Sequence, residues 1–274
     1  MVGRRVEAGD IVRSGAKWTT ITGPPGSGKS VLATDVAHFL SEREGDLCSF
    51  IFVKLAGVLT VAGVMCNIIT QLRACLGRGV ASDSVDENRA AVQAIIGDDK
   101  CLLVLDGCAP PLSSDVARLV SDLLRACRDL SVLVTSVAAL RPPEPCALER
   151  EETWELRALP PADIVKVFRG VIDRPISEDE LNGGSFGEHP VIIIVACNGL
   201  PGLAERFARL WNTVACTIPG PGNRLNDVLW RAIRAGGPDA EALSRAMQTC
   251  SRTCVLCVVA ALPGEVGGGR FELH

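Results

Sequence analysis

The sequence has no tyrosine, and aromatic residues make up only 4% of it. A core short of large rings has to be assembled from Val, Leu, Ile and Ala. Long apolar runs are missing too. The longest, Val191–Cys197 and Cys254–Leu262, fall well short of the roughly 20 residues that cross a bilayer as a helix. The opening MVGRRVEAGD puts no apolar run behind its arginines, so it does not read as a signal peptide. Neither sign of charge dominates. Lys and Arg number 28 against 32 Asp and Glu, a net charge of −4. No Lys/Arg cluster marks any segment, which weighs against a nucleic-acid surface. These absences lead us to expect a soluble, cytoplasmic protein with no membrane partner. The 12 cysteines suit that compartment if reduced and buried, where a thiol behaves as a small hydrophobe.

Hydrophobic residues make up 47% of the 274-residue chain and charged residues 22%. That supports a packed core in one large domain or a domain with an appendage. The pattern alternates strand and helix. Trp18–Thr22 reads as a strand, and Lys29–Leu40 as a helix with Val31, Leu32, Val36, Phe39 and Leu40 on one face. Cys48–Leu55 reads as a strand, Val61–Leu76 as a helix striped by Val64, Ile68, Ile69 and Leu72, and Asp83–Ile96 as a further helix. Lys100–Asp106 is a continuous apolar run ending in an acid, hence a buried strand. Ser113–Cys127 reads as an amphipathic helix, Ser131–Ser136 as a strand, and Thr153–Leu156 as a short strand. Beyond that the pattern is helical: Pro161–Gly170, Val191–Cys197, Leu203–Trp211, Leu225–Ala235 and Glu241–Ala261. Alternation of this kind predicts an α/β fold with a mainly parallel sheet covered on both faces. A helical part should take over near residue 157.

Between the first strand and the first helix stands Gly23-Pro24-Pro25-Gly26-Ser27-Gly28-Lys29-Ser30. It fits G-x-x-x-x-G-K-[ST], a pattern that arises by chance in about one chain in a hundred of this length. Glycines let consecutive N–H groups point into one concave nest for phosphate oxygens. The helix beginning near Lys29 aims its positive end at the same place. Lys29 would reach the β- and γ-phosphates, and the Ser30 hydroxyl would coordinate Mg²⁺. A second signal is Asp106, delivered by a buried strand to the place where a carboxylate can sit beside Mg²⁺. An acid after an apolar strand is common and weak alone. Joined to the loop, it makes the chain a P-loop NTPase, with Lys29 and Asp106 as its catalytic candidates.

From these motifs onward the chain resembles the NB-ARC branch of the STAND NTPases, regulated switches of apoptosis and plant-type immunity. Val2-Gly3-Arg4 resembles the family's opening motif, which implies contact with adenine and ribose. Phe50–Leu55 is similar to its second strand, and Val132–Ser136 to the strand that ends in its sensor. Trp154–Asp163 resembles the stretch that joins the nucleotide domain to a helical lid. Cys197-Asn-Gly-Leu-Pro-Gly202 is similar to its Gly-Leu-Pro motif, which implies that Pro201 closes over adenine and sugar. Cys254–Glu265 resembles the opening helix of its winged-helix domain. The resemblance implies a three-layer P-loop domain over 1–157, a helical lid over 158–238, and the truncated start of a winged helix over 239–274. It also implies ATP or ADP with Mg²⁺ as ligands. Gly23–Ser30 and Val31 would hold the nucleotide, and Ser30 and Asp106 the metal. The partner would be a second copy or another signalling protein.

Two positions depart from the family. Gly107 stands where a second, water-activating acid often follows Asp106, and Val137 stands where the sensor Arg is frequent. Both losses spare binding and weaken hydrolysis. The expectation is therefore an ATP/ADP-binding signalling switch with slow or absent hydrolysis. The alternatives are a P-loop small-molecule kinase or an AAA+-like ATPase. A kinase needs arginines closing over the transferred phosphate, and Arg157, Arg169, Arg174, Arg206 and Arg209 are scattered. An AAA+ motor expects an acid where Gly107 stands. Cys250, Cys254 and Cys257 have a spacing that could hold a metal but also form one helical stripe, the blander reading.

Overall fold

The computed structural model describes residues 2–43, 49–76, 84–96, 100–140, 151–173 and 197–215. The chain divides into two compact units, Met1–Arg157 and Ala158–His274. The expected winged-helix segment and the Cys250–Cys257 stripe lie outside the described residues, as do the helices expected at Leu225–Ala235 and Glu241–Ala261.

In the first unit five strands run β1 (Trp18–Thr22), β2 (Ser49–Lys54), β3 (Cys101–Cys108), β4 (Leu130–Ser136) and β5 (Glu151–Glu155). Their order across the sheet is β2-β3-β4-β1-β5, and every pairing is parallel. This is the parallel α/β arrangement that the alternation predicts. Parallel strands need crossovers, and the helices that make them cover both faces. The strands between them are accordingly buried along their length: all of β1 and the first five residues of β3.

The two faces sort by parity. Cys101, Leu103 and Leu105 of β3 join Leu130, Val132 and Val134 of β4 in a cluster beneath α3 (Val61–Leu76), α4 (Val85–Ile96) and α5 (Ser113–Ala126). Leu102, Val104 and Leu133 face the other way, toward α1 (Arg5–Ser14) and α2 (Lys29–Arg43). The α3 stripe of Val64, Ile68, Ile69 and Leu72 is fully buried as its spacing predicts.

Two features differ from the expectation. Helix α1 was not anticipated, because its charged residues mask a short stripe of Ala8, Ile11 and Val12 on the core. Gly15, at φ 60°, ends it in the left-handed conformation that glycine adopts at little cost. The buried face of α2 is also rotated. Leu32, Ala33, Val36 and Ala37 lie against the sheet, whereas Val31 and Phe39 are 49% and 39% exposed. The small alanines let the helix seat closely, and Val31, one residue before Leu32, is turned about 100° away from the core.

In the second unit α6 (Pro161–Val171) packs on α7 (Pro201–Ala215). Ile164, Phe168, Ala204, Phe207 and Ala208 are buried there. Asn212 closes the end of α6, donating to the Val171 carbonyl at 2.9 Å and accepting from Asp173 N–H at 3.0 Å. Gly199 explains its own identity. It has φ +70°, and a Cβ on it would lie 2.4 Å from the Ala158 Cβ. The close approach allows Leu159 N–H to donate to the Gly199 carbonyl at 2.8 Å.

Gly199→Ala should therefore cost about 2–4 kcal/mol, combining backbone strain with overpacking. Gly170→Ala, in α6 with nothing within 4 Å of its added Cβ, should be neutral or stabilise by up to about 1 kcal/mol. Denaturant unfolding monitored by far-UV signal compares the two. Equal effects would remove the close approach as the reason for glycine at 199.

Candidate nucleotide-binding site

Because all strands run in one direction, the C-terminal ends of β1, β3 and β4 share one edge of the sheet, where ligands of such folds bind. The phosphate loop leaves β1 there. Gly23, Gly26 and Gly28 take φ values of 149°, 78° and 92°, which only glycine adopts without strain. Ser27 N–H donates to the Pro24 carbonyl at 3.2 Å, and Leu32 N–H to Gly28 at 2.9 Å, so the loop turns directly into α2. Lys29 folds back over the loop, its Nζ donating to the carbonyls of Gly23 at 2.7 Å and Pro24 at 2.8 Å. Ser30 and Val31 are exposed.

At the end of β3 the register breaks. Leu105 pairs with Val134 and Cys108 with Ser136, so Asp106 and Gly107 together face Thr135. The extra residue is a bulge. It explains why Cys108 is buried in the same cluster as Leu105, although strict alternation would send a residue three positions on to the opposite face. Gly107 supports the bulge with φ 85°. The Asp106 carbonyl accepts from Leu55 N–H at 2.8 Å. Its carboxylate Oδ1 accepts from the buried Thr135 hydroxyl at 2.6 Å. Thr135 in turn accepts from Gly107 N–H at 2.8 Å.

The opening segment reaches the same loop. Arg4 is only 4% exposed. Its guanidinium donates to the Ser27 carbonyl at 3.4 Å, to the Arg157 carbonyl, and to Glu7 at 3.1 Å. Val2 is half-buried and Gly3 exposed.

Residues 7–159, more than half of the chain, match the sequence model of the NB-ARC domain. The chain belongs to the NB-ARC family. No match was found among curated proteins. Solved structures share the fold at low identity. The ORC1 protein of Aeropyrum pernix, solved in complex with DNA, is 18% identical with a TM-score of 0.58, over 96% of this chain and 69% of that one. A Walker-type ATPase of Pyrococcus abyssi is 13% identical with a TM-score of 0.56, over 93% and 77%. The ORC2 protein of A. pernix, in ADPNP–ADP complexes, is 15% identical with a TM-score of 0.55, over 84% and 67%.

In this NB-ARC domain the residues present fit a nucleotide. The glycine-rich loop, the α2 N-terminus and Lys29 are all donors or positive charge. Ser27 Oγ is buried without a hydrogen-bond partner, a polar atom left over beside the loop. The Ser30 hydroxyl and Asp106 carboxylate are hard oxygen donors of the kind Mg²⁺ takes. Pro201 opens α7 in the second unit. Two links were missed in the sequence. Thr135 figured there only within the strand that resembles the family's sensor strand, not as a partner of Asp106, and nothing local pairs Arg4 with Arg157. An Asp-Gly pair ending a buried strand, opposite a Thr, was the available hint for the first. Among the described residues no helix is long and apolar enough to cross a membrane.

Burial pushes the Lys29 ammonium below its ordinary value, and the Asp106 charge offsets part of this. The Cys108 thiol is pushed up by burial, with a hydrogen bond to Ser113 opposing, so it is a poor nucleophile. A bound phosphate favours charged Lys29. Nucleotide affinity should therefore be highest while Lys29 is protonated, and should fall as pH rises through its lowered value in the free protein. Affinity measured from neutral to alkaline pH should decline earlier than an ordinary lysine would require. Lys29→Arg, which stays charged, should bind more weakly but lose the decline. A decline of equal size in Lys29→Arg would assign it to another group.

Proposed function

We propose that the chain is a nucleotide-dependent signalling switch of the NB-ARC type, holding ATP or ADP with Mg²⁺ and hydrolysing slowly or not at all. The observation that carries this is the asymmetry around Asp106. The carboxylate is fixed beside the phosphate loop, yet the next residue is a glycine at φ 85° with no side chain to activate water. Val137, at the sensor position, offers a half-exposed isopropyl group instead of a cation. Binding groups are present, and at positions 107 and 137 the side chains expected for hydrolysis are replaced by a glycine and a valine.

Lys29 would leave the loop carbonyls for the β- and γ-phosphates, and Ser30 and Asp106 would hold the metal. Mg²⁺, when bound, would neutralise charge shared by those phosphates. A γ-phosphate can shift the protein between states only through contacts that differ between them. The lid role of the second unit and the contact of Pro201 with base and sugar rest on the family resemblance, as does Val2–Arg4 as a base-side element. So does association with a second copy or another signalling protein. The nucleotide complexes of the A. pernix ORC2 protein support a nucleotide on this fold.

The test is calorimetric binding of ADP and ATP to the parent chain and to Lys29→Ala, with phosphate release in parallel. The parent should bind, and Lys29→Ala should lose about tenfold to a hundredfold in affinity, the worth of a hydrogen bond to a charged group. Turnover in the parent should stay near the Lys29→Ala background. Gly107→Glu should cost about 1–3 kcal/mol in stability through the strain of its positive φ, with no added clash because its Cβ meets nothing within 4 Å, and should raise turnover. Absence of binding would sink the switch, brisk ATP hydrolysis would sink the slow-hydrolysis half, and transfer of phosphate to an added metabolite would install the kinase reading.

A further inference from the structure

We infer that Thr135 is a positioning residue for the metal-binding carboxylate, and that its hydroxyl is not a phosphate-sensing group. The inference rests on the nucleotide and Mg²⁺ reading above and deepens it. A threonine hydroxyl has one proton to give and two lone pairs to receive with. The Thr135 proton is spent on Asp106 Oδ1 at 2.6 Å. One lone pair is occupied by Gly107 N–H at 2.8 Å, which fixes the direction in which the proton points. To donate to a phosphate oxygen, Thr135 would have to release a short bond to a carboxylate, among the stronger hydrogen bonds a hydroxyl makes. It would do so in a position with no exposure to solvent, where a lost partner is not replaced by water.

The bulge makes this arrangement specific to the backbone. Since Asp106 and Gly107 share one partner residue on β4, a single hydroxyl meets both the carboxylate of one and the amide of the next. One oxygen of Asp106 is thereby held, and the carboxylate is oriented before any metal arrives. Groups that orient a metal ligand in this way commonly contribute about tenfold to a hundredfold in metal affinity.

The measurement is the ratio of nucleotide affinity in Mg²⁺ to that in EDTA, by calorimetry on the full chain with ADP and ATP. The ratio cancels a general loss of fold that affects both media. Thr135→Val, which keeps the shape and removes the hydroxyl, should lower the ratio at least about tenfold while leaving affinity in EDTA within about twofold. Thr135→Ser should restore the ratio. Thr135→Ala provides the same loss of hydroxyl should the valine methyl crowd the Asp106 side chain. A ratio unchanged in both the Val and Ala variants overturns the inference, whether or not affinity falls equally in the two media. Failure of the parent to bind in either medium is a different result and overturns the nucleotide reading itself.

Discussion

A parallel ladder cannot be closed by a hairpin, so each strand must be returned to its starting edge by a crossover, usually a helix. The first unit obeys that constraint in every described pairing. One edge of the sheet collects the strand beginnings and the other collects the ends. Residues far apart in sequence, such as Lys29, Asp106 and Thr135, become neighbours because each follows or closes a strand at that second edge. The crossover helices shield both faces, which leaves the edge as the place where backbone amides and polar side chains can meet a ligand.

Within that frame, binding phosphate and activating water make different demands on the chain. Phosphate capture on the proposed reading uses backbone geometry, and the three positive-φ glycines of the loop would supply it. Activation of water uses a side chain at a defined place. Residue 107 has none, and its φ of 85° belongs to a bulge that a residue with a Cβ would strain. The geometry that orients Asp106 and the lack of an acid beside it therefore have one local cause. A glycine serves the bulge and leaves no carboxyl group.

The loop, the strand ending in Asp106 and the α3 stripe were all legible in the sequence, because each is a local pattern with a period or a fixed spacing. What escaped was set by neighbours. Helix α1 looked too polar, since its stripe is short and its exposed faces carry the charges. The direction of α2 depended on alanines that count little in a hydrophobic stripe but seat the helix on the sheet. The strand β3 runs on to Cys108, where sequence parity fails, and only its pairing with β4 exposes the bulge. Arg4 stood in a motif associated with base and sugar, yet its guanidinium is engaged by carbonyls of Ser27 and Arg157. No sequence spacing announces a bond across 153 positions.

That last bond bears on how the molecule is built in time. The phosphate loop is the most local motif in the chain, eight consecutive residues that any scan finds. Its Ser27 carbonyl accepts from Arg4, whose guanidinium also meets the Arg157 carbonyl just beyond β5. Contacts of such long range form late, after the entropy of closing the intervening chain has been overcome. The β1–α2 turn can nucleate early, and a chain stopped after β4 would carry the glycines, the lysine and Arg4 without the Arg157 carbonyl that shares its guanidinium. The segment easiest to recognise in the sequence is thus tied, through one guanidinium, to the last residue of its own unit.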